Sequence, residues 1–360
     1  MTRGTLTGGV DGILDSVRDG SRLSDEDALA LLSSSDILAM GRAAHAVRMN
    51  KKPGPDVTYI IDRNINYTNL CVSWCKFCAF YKIEGDEDGY VLSLEDIDSK
   101  IEETIRLGGT QILMQGGLHP TYEIEWYERL IGHIRAKHGV HIHAFSPPEI
   151  HHIARISGIS VSETIGRLKR AGLDSIPGGG AEILSDRTRS DISPGKCSAD
   201  EWIEVMREAH GQGMRTTATM MFGHVETLEE RVETLRRIRD LQDETGGFTA
   251  FIPWTFQPEN TEMDSVQPSG GFDYLKTLAV SRLYLDNVDN IQASWVTQGP
   301  KMAQVALLFG ANDMGSTMIE ENVVAAAGVS FRMSEKDMRR MIEDIGMTPR
   351  RRNMYYDILD

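Results

Sequence analysis

Cysteine is scarce in this chain, with four in 360 residues. So few thiols exclude a fold held by disulfides, and no stretch resembles a signal peptide, so an oxidising compartment is not expected. Long hydrophobic runs are missing as well: nowhere do about 18 apolar residues follow one another, and no helical membrane span is expected. Positive charge is in deficit. The 38 Lys and Arg stand against 53 Asp and Glu, a formal net charge of −15. Nucleic acid is a poor partner for such a surface, because binding a phosphate backbone needs concentrated Lys and Arg. The one basic cluster, "PRRRN" at 349–353, is short and reads as a solvated tail. Nucleotide fingerprints are absent too. No G-x-G-x-x-G opens a helix and no G-x4-G-K-S/T loop occurs, which removes the Rossmann and P-loop readings. What remains is a cytoplasmic protein with neither nucleic acid nor membrane as partner and, at 41% hydrophobic residues, enough apolar matter for a substantial core.

What the sequence does have is one local grammar, repeated. A Ser or Thr stands three residues before Asp or Glu, in front of an apolar-periodic stretch, at Ser24/Asp27, Ser93/Asp96, Ser160/Glu163, Ser198/Glu201, Thr227/Glu230 and Ser334/Asp337. Such capping boxes satisfy orphan N–H groups where helices begin. After Ser93 the spacing predicts Ile97, Ile101 and Ile105 on one helix face, and after Thr227 it groups Leu228, Val232 and Leu235. Glycines then close the helices, and a short apolar segment follows nearly every one. Eight strands are expected, beginning near residues 57, 111, 141, 174, 215, 250, 291 and 312. Strict alternation of strand and helix implies a parallel sheet, and eight of each imply an α/β fold of the closed (β/α)8 TIM-barrel type. Residues 1–56 then form an N-terminal helical flank, 57–320 the barrel, and 321–360 a C-terminal helix and tail.

Three of the four cysteines are concentrated in "NLCVSWCKFCAFY": Cys71, Cys75 and Cys78, spaced C-x3-C-x2-C. Three thiolates this close can hold three corners of a cubane iron–sulfur cluster and leave the fourth iron open to a small molecule. Zinc is the alternative, with Cys197 or a histidine as fourth ligand, although no second short Cys or His pair accompanies the motif. Cys197 itself reads as a small buried hydrophobe.

In a barrel of this kind the chemistry sits on the loops that follow the C-terminal ends of the strands. The cysteine loop follows the first strand. Later loops bring Gly116, Gly117 and His119, then Ser146 and Glu149, then Glu182 behind Gly178–Gly180, then His224 and Glu226, then Gln257 and Glu259, and last Gln298. Gly116-Gly117 either turns the chain or lets backbone approach a cofactor's amino group, and Glu182 can accept two hydroxyl hydrogen bonds. Phe80, Tyr81, Phe222, Trp254 and Trp295 line either the barrel mouth or its core. His141 and His143 read as hydrogen-bonded core residues, His151-His152 as surface, Met220-Met221 as core, and the arginines of 231–239 as a charged helix face. As general base the sequence favours His224, whose ordinary pKa is near ~6.5, with Glu149 and Glu259 behind it.

The cysteine spacing with Phe77 inside it is the signature of the radical S-adenosylmethionine enzymes, and the chain resembles them. Longer stretches, among them "GGTQILMQGGLHP", "HIHAFSPPEI", "PWTFQPENT" and "ASWVTQGPK", resemble the cyclic dehypoxanthinyl futalosine synthase branch of the futalosine route to menaquinone, across roughly 57–330. Aminofutalosine synthases of the same route are the alternative, and the subunits that build the deazaflavin FO are further relatives. The resemblance implies a [4Fe-4S] cluster on Cys71, Cys75 and Cys78, and S-adenosylmethionine bound with help from Phe77, Gly116, Gly117, Ser146 and Glu182. It also implies a reduced flavodoxin or ferredoxin as electron donor and a 5′-deoxyadenosyl radical that takes hydrogen from C4′ of the ribose of dehypoxanthine futalosine. The sugar radical then closes a carbon–carbon bond onto the neighbouring benzoate ring, and loss of one proton and one electron restores aromaticity.

Overall fold

The computed structural model describes residues 9–360. Its strands are β1 Asp56–Ile60, β2 Asn64–Ile65, β3 Gln111–Met114, β4 His141–Ala144, β5 Ser175–Ile176, β6 Arg215–Phe222, β7 Phe248–Thr255, β8 Asn290–Ile291, β9 Asp313–Ser316 and β10 Thr348–Arg351. Strands β2 to β8 pair in sequence order as a seven-stranded sheet, and β1 lies between β9 and β10 in a three-stranded sheet. All of these pairings are parallel. The two sheets make one ring. β1 and β2 are halves of a single stave interrupted at Ile61, Asp62 and Arg63, and Gln292 beyond β8 bridges Asp313 at the start of β9. Past β9, the N–H groups of Thr317 and Ile319 donate to the carbonyls of Ile60 and Asp62 at 2.9 and 3.1 Å. Eight staves thus close the barrel that the alternation of elements implies. Parallel strands are covered on both faces, and Ile112, Ile142, Ile176, Ala218, Phe251 and Ile291 are accordingly fully buried.

Helices begin where the capping grammar puts them. Asp25–Ser33, Leu94–Arg106, Ala199–Gly211 and Leu228–Thr245 each carry a reciprocal capping box. Val161–Ala171 and Glu335–Glu343 are capped by the side chains of Ser160 and Ser334. One facial assignment differs: Ile97 and Ile101 are buried, but Ile105 is 43% exposed. Eight residues at 3.6 per turn rotate it about 80° from Ile97 and off the seam.

Two runs of arginine that read as solvated are built into the structure instead. Arg231 pairs with Glu226 and Asp273 at 2.8 and 2.9 Å and lies over the ring of Phe222. Arg239 sits on the ring of Tyr284 and donates to the Leu23 carbonyl at 2.9 Å, tying the N-terminal helices to the barrel. In "PRRRN", residues Thr348–Arg351 are β10, and the Arg352 guanidinium donates to both oxygens of Asp313 at 2.5 and 2.9 Å. The side chains of Arg352 and Asp313 are only 5% and 0% exposed. His152, expected at the surface, is also buried, and its Nε2–H donates to the His119 carbonyl at 2.8 Å. His141 and His143 do form the expected core network, each 2.7 Å from the Ser175 hydroxyl.

Removing one partner of a buried ion pair strands the other charge, at a cost of about 3–5 kcal/mol. Arg352→Leu should therefore lower unfolding free energy in urea by about that much, whereas Arg352→Leu with Asp313→Leu should recover a large part of it.

Candidate active site

The cysteine loop leaves β2 and is pinned by short polar contacts before any sulfur is reached. Thr68 Oγ1 donates to the Tyr90 carbonyl at 2.6 Å, and Asn69 Nδ2 donates to the Asp88 carbonyl at 2.9 Å. Asn69 Oδ1 accepts from the Tyr90 N–H at 2.8 Å. Cys71, Cys75 and Cys78 are free thiols. The N–H groups of Ser73 and Leu118 point at Cys71 Sγ from 3.4 and 3.3 Å, and Ser73 Oγ lies 3.2 Å from Cys75 Sγ. Burial pushes the Cys75 thiol up to about 11 and raises Cys78 as well. Hydrogen bonds to sulfur favour the thiolate while burial opposes it. A positively charged group must settle that contest.

Lys196 supplies part of that charge. Its buried ammonium donates to Glu182 Oε1 at 2.5 Å and lies 4.8 Å from the centroid of the Phe77 ring. Burial opposes the Lys196 charge, but Cys75 and Glu182 together hold its pKa above the ordinary value. Glu182 has a pKa held down by Lys196 against its own burial. Phe77 and Glu182, which the sequence places near a cofactor, are therefore both gathered at the cysteine loop through one lysine that sequence reasoning passed over. The donor set fits an iron–sulfur cluster: three free thiols on one loop, amides aimed at sulfur, and cationic surroundings. Cys197 does not join it, being buried with its Sγ 3.7 Å from the Arg189 guanidinium. Elsewhere among the described residues no group of three or more His, Cys, Asp or Glu is arranged to hold a metal ion.

The loop after β3 presses against the cysteines. A Cβ on Gly117 would overlap the Leu70 carbonyl and come 2.9 Å from Cys71 Cβ, and one on Gly116 would lie 2.7 Å from the Tyr67 ring. Both glycines are thus needed for close approach. Ser146 and Glu149 turn out to be a capping box for the helix Pro147–Ser157. Glu149 accepts from the Ser146 N–H and hydroxyl at 2.8 and 2.7 Å, from the Gly116 N–H at 3.0 Å and from the Tyr67 hydroxyl at 2.9 Å. Four donors make Glu149 a brace between two loops, and its pKa is nevertheless raised by burial.

His224 is placed differently from what its position after a strand suggests. Its side chain is fully buried, Nδ1 accepts from the Val225 N–H at 2.8 Å, and Nε2 donates to the Met221 carbonyl at 3.1 Å. Both ring nitrogens are occupied, and burial lowers its pKa. The ring is a strut of its own loop. Glu259 is exposed on the surface.

Below these loops the barrel lumen holds a cavity of about 290 Å³. Part of the lining is apolar, with Ile252, Trp254, Trp295, Met318, Val323 and Val324. Trp295 is fixed there by an Nε1 donation to the Ser316 carbonyl at 2.8 Å. Phe222 is packed under Arg231 and lies outside the lining, while Phe80 makes an edge contact with Tyr90. Polar side chains share the lining, among them Asp62, Gln111, Gln115, His143, Thr217 and Thr219. Burial raises the Asp62 carboxyl and takes His143 well below its usual pKa. Glu321 joins the lining on a segment set apart, in the sequence, from the barrel. It accepts from the N–H groups of Val323, Val324 and Ala325 at 3.2, 2.7 and 3.4 Å and from Asn64 Nδ2 at 3.4 Å, and burial raises its pKa. Alternation along β1, β3 and β4 is the signal that could have aimed these residues inward. No sequence signal points to Glu321.

Gly117→Ala should displace the cysteine loop without unfolding the barrel. After anaerobic reconstitution the variant is expected to hold well under the ~4 irons per chain of a full cubane, with an unchanged far-UV circular dichroism spectrum.

Comparison with known proteins agrees with this construction. The radical SAM superfamily description matches residues 65–238, and that of the CofH/MqnC C-terminal region matches 245–360. The chain is 47% identical to the cyclic dehypoxanthine futalosine synthase of Halalkalibacterium halodurans, over 97% of this chain and 95% of that protein. It is 46% identical to the enzyme of the same name from Streptomyces coelicolor, over 96% and 88%. It is also 46% identical, over 84% and 82%, to a 5-amino-6-(D-ribitylamino)uracil–L-tyrosine 4-hydroxyphenyl transferase of Methanosarcina barkeri. Among solved structures, methylornithine synthase (PylB) superposes with a TM-score of 0.73 at 22% identity, covering 94% of this chain and 97% of that one. The chain belongs to the radical SAM superfamily, in the branch that carries the CofH/MqnC C-terminal region, and is an enzyme of [4Fe-4S] and S-adenosylmethionine chemistry.

Proposed function

We propose that this enzyme closes a carbon–carbon bond within dehypoxanthine futalosine, giving the cyclic product on the way to menaquinone. The observation that carries the reading is the mixed lining of the lumen. Trp254 and Trp295 suit a benzoyl ring, and the polar side chains beside them suit a ribose. The relatives that bear this activity in their name are 47% and 46% identical over 97% and 96% of this chain, whereas a transferase that spans 96% of it is 42% identical.

Cys71, Cys75 and Cys78 would hold the cluster, which with S-adenosylmethionine would supply the radical chemistry that the sugar C–H bond requires. The protein's part is orientation and exclusion. Gly116 and Gly117 keep the loop after β3 close to the cysteines, and Lys196 keeps positive charge beside Cys75. The Trp254 and Trp295 rings exclude water from the lining around them. Rearomatisation releases one electron, which the oxidised cluster would take up, and one proton at the benzoyl ring. We assign its acceptor to Glu321, a carboxylate of the lumen lining, in place of His224, whose side chain is fully buried outside that lining. A carboxyl whose pKa is raised by burial is suited to receive a proton. Electrons would come from a flavodoxin or ferredoxin in the cytoplasm.

Anaerobic incubation with dehypoxanthine futalosine, S-adenosylmethionine and a reductant should yield free 5′-deoxyadenosine and a product two mass units below the substrate. A product joining adenosine to the substrate would instead indicate aminofutalosine synthase chemistry. Glu321→Gln should still form 5′-deoxyadenosine while the cyclised product falls by about 10²-fold or more. Cyclisation by that variant at the unaltered rate would remove Glu321 as the acceptor.

A further inference from the structure

The segment after β10 closes the lower end of the lumen, bringing Arg352, Met354 and Tyr356 into its lining, and the cysteine loop stands at the other end. There a second loop, 193–197, is docked against the cysteines. The Lys76 N–H donates to the Ile192 carbonyl at 2.9 Å, and the Lys76 ammonium meets Asp191 at 2.7 Å. A Cβ on Gly195 would come 2.6 Å from the Ser73 carbonyl oxygen and 2.8 Å from Ser73 Cα, so the two backbones lie this close only because residue 195 is glycine. Arg189 holds the loop from behind, donating to the Cys197 carbonyl at 3.0 Å and to the Ala181 carbonyl at 2.6 Å.

This docking delivers the Lys196 side chain. Its ammonium lies 4.8 Å from the ring of Phe77, which stands between Cys75 and Cys78 in the chain, and 2.5 Å from Glu182 Oε1. The Lys196 charge favours the thiolate at both Cys75 and Cys78. The ion pair is therefore oriented, with its positive end toward the sulfurs and its negative end behind. Both side chains are largely shut off from water, at 15% and 3% exposure. Such a pair adds little to stability, because desolvation offsets the attraction. Its orientation has another consequence.

The potential of an iron–sulfur cluster is set in part by nearby charge. Reduction brings one electron from an external one-electron donor and adds one negative charge to the group that the cysteines hold. A cation on the sulfur side favours that electron, and an anion beside the cation opposes it. We propose that Lys196 and Glu182 are opposed charges that set the reduction potential at Cys71, Cys75 and Cys78, the lysine raising it and the glutamate trimming the rise. Both act through the sulfurs, whichever molecule fills the lumen, so the inference stands apart from the function proposed above.

The test is a redox titration of the anaerobically reconstituted enzyme, read from the electron paramagnetic resonance signal of the reduced cluster at matched iron and sulfide content. It is made without S-adenosylmethionine, so that any part these residues take in holding that molecule does not enter. Poised at the native midpoint, Lys196→Met should show a ratio of reduced to oxidised cluster about tenfold lower, a midpoint about 59 mV more negative for a one-electron couple. Glu182→Gln should shift the ratio the opposite way, and Lys196→Arg should keep the native midpoint. Structural damage alone does not give shifts of opposite sign. If Lys196→Met loses its cluster, Glu182→Gln decides by itself: a higher midpoint supports the pair, and an unchanged or lower one overturns it. Native midpoints in both variants, or shifts of the same sign, also overturn it and leave the proposed function standing.

Discussion

Arg352 and Asp313 meet inside the barrel wall with almost no access to water, and neither charge could be left there alone. The pair fastens the C-terminal segment to β9 just where the ring closes. Because β10 runs beside β1, the last residues complete the pairing of the first stave. The cavity wall then includes side chains separated by some 290 positions, from Asp62 to Tyr356. Floor, closure and lining are consequences of one buried contact.

At the opposite end the constraint is electrostatic. Three sulfurs, one lysine and one buried glutamate share a small volume, and burial penalises the charges of Cys75, Cys78, Glu182 and Lys196. Cationic iron held by Cys71, Cys75 and Cys78 would offset that liability, since a bound metal draws thiols into the thiolate form. Glu182 and Glu149 belong to this logic as braces, the first holding Lys196 and the second joining Ser146 to Gly116.

Much of the barrel was legible because its signals are local. A Ser or Thr three residues before an acid marks a helix start, and the glycine after the helix marks the approach of the next strand. The cysteine spacing is local too. What escaped depends on partners far along the chain. Arg352 reads as solvated unless Asp313, 39 positions earlier, is known to face it. Arg231 and Arg239 are misjudged for the same reason, since Asp273 and Tyr284 lie on another helix. His224 shows the limit of a positional rule. A residue can follow a strand on the catalytic face and still turn its ring into its own backbone.

The C-terminal segment also determines how molecules move through this enzyme. A tube plugged at one end has a single doorway, and the cysteine loop stands at that doorway. Whatever occupies the inner chamber must enter before the outer position is filled and can depart only after the outer occupant has gone. Traffic is therefore ordered, last in and first out, by the architecture alone.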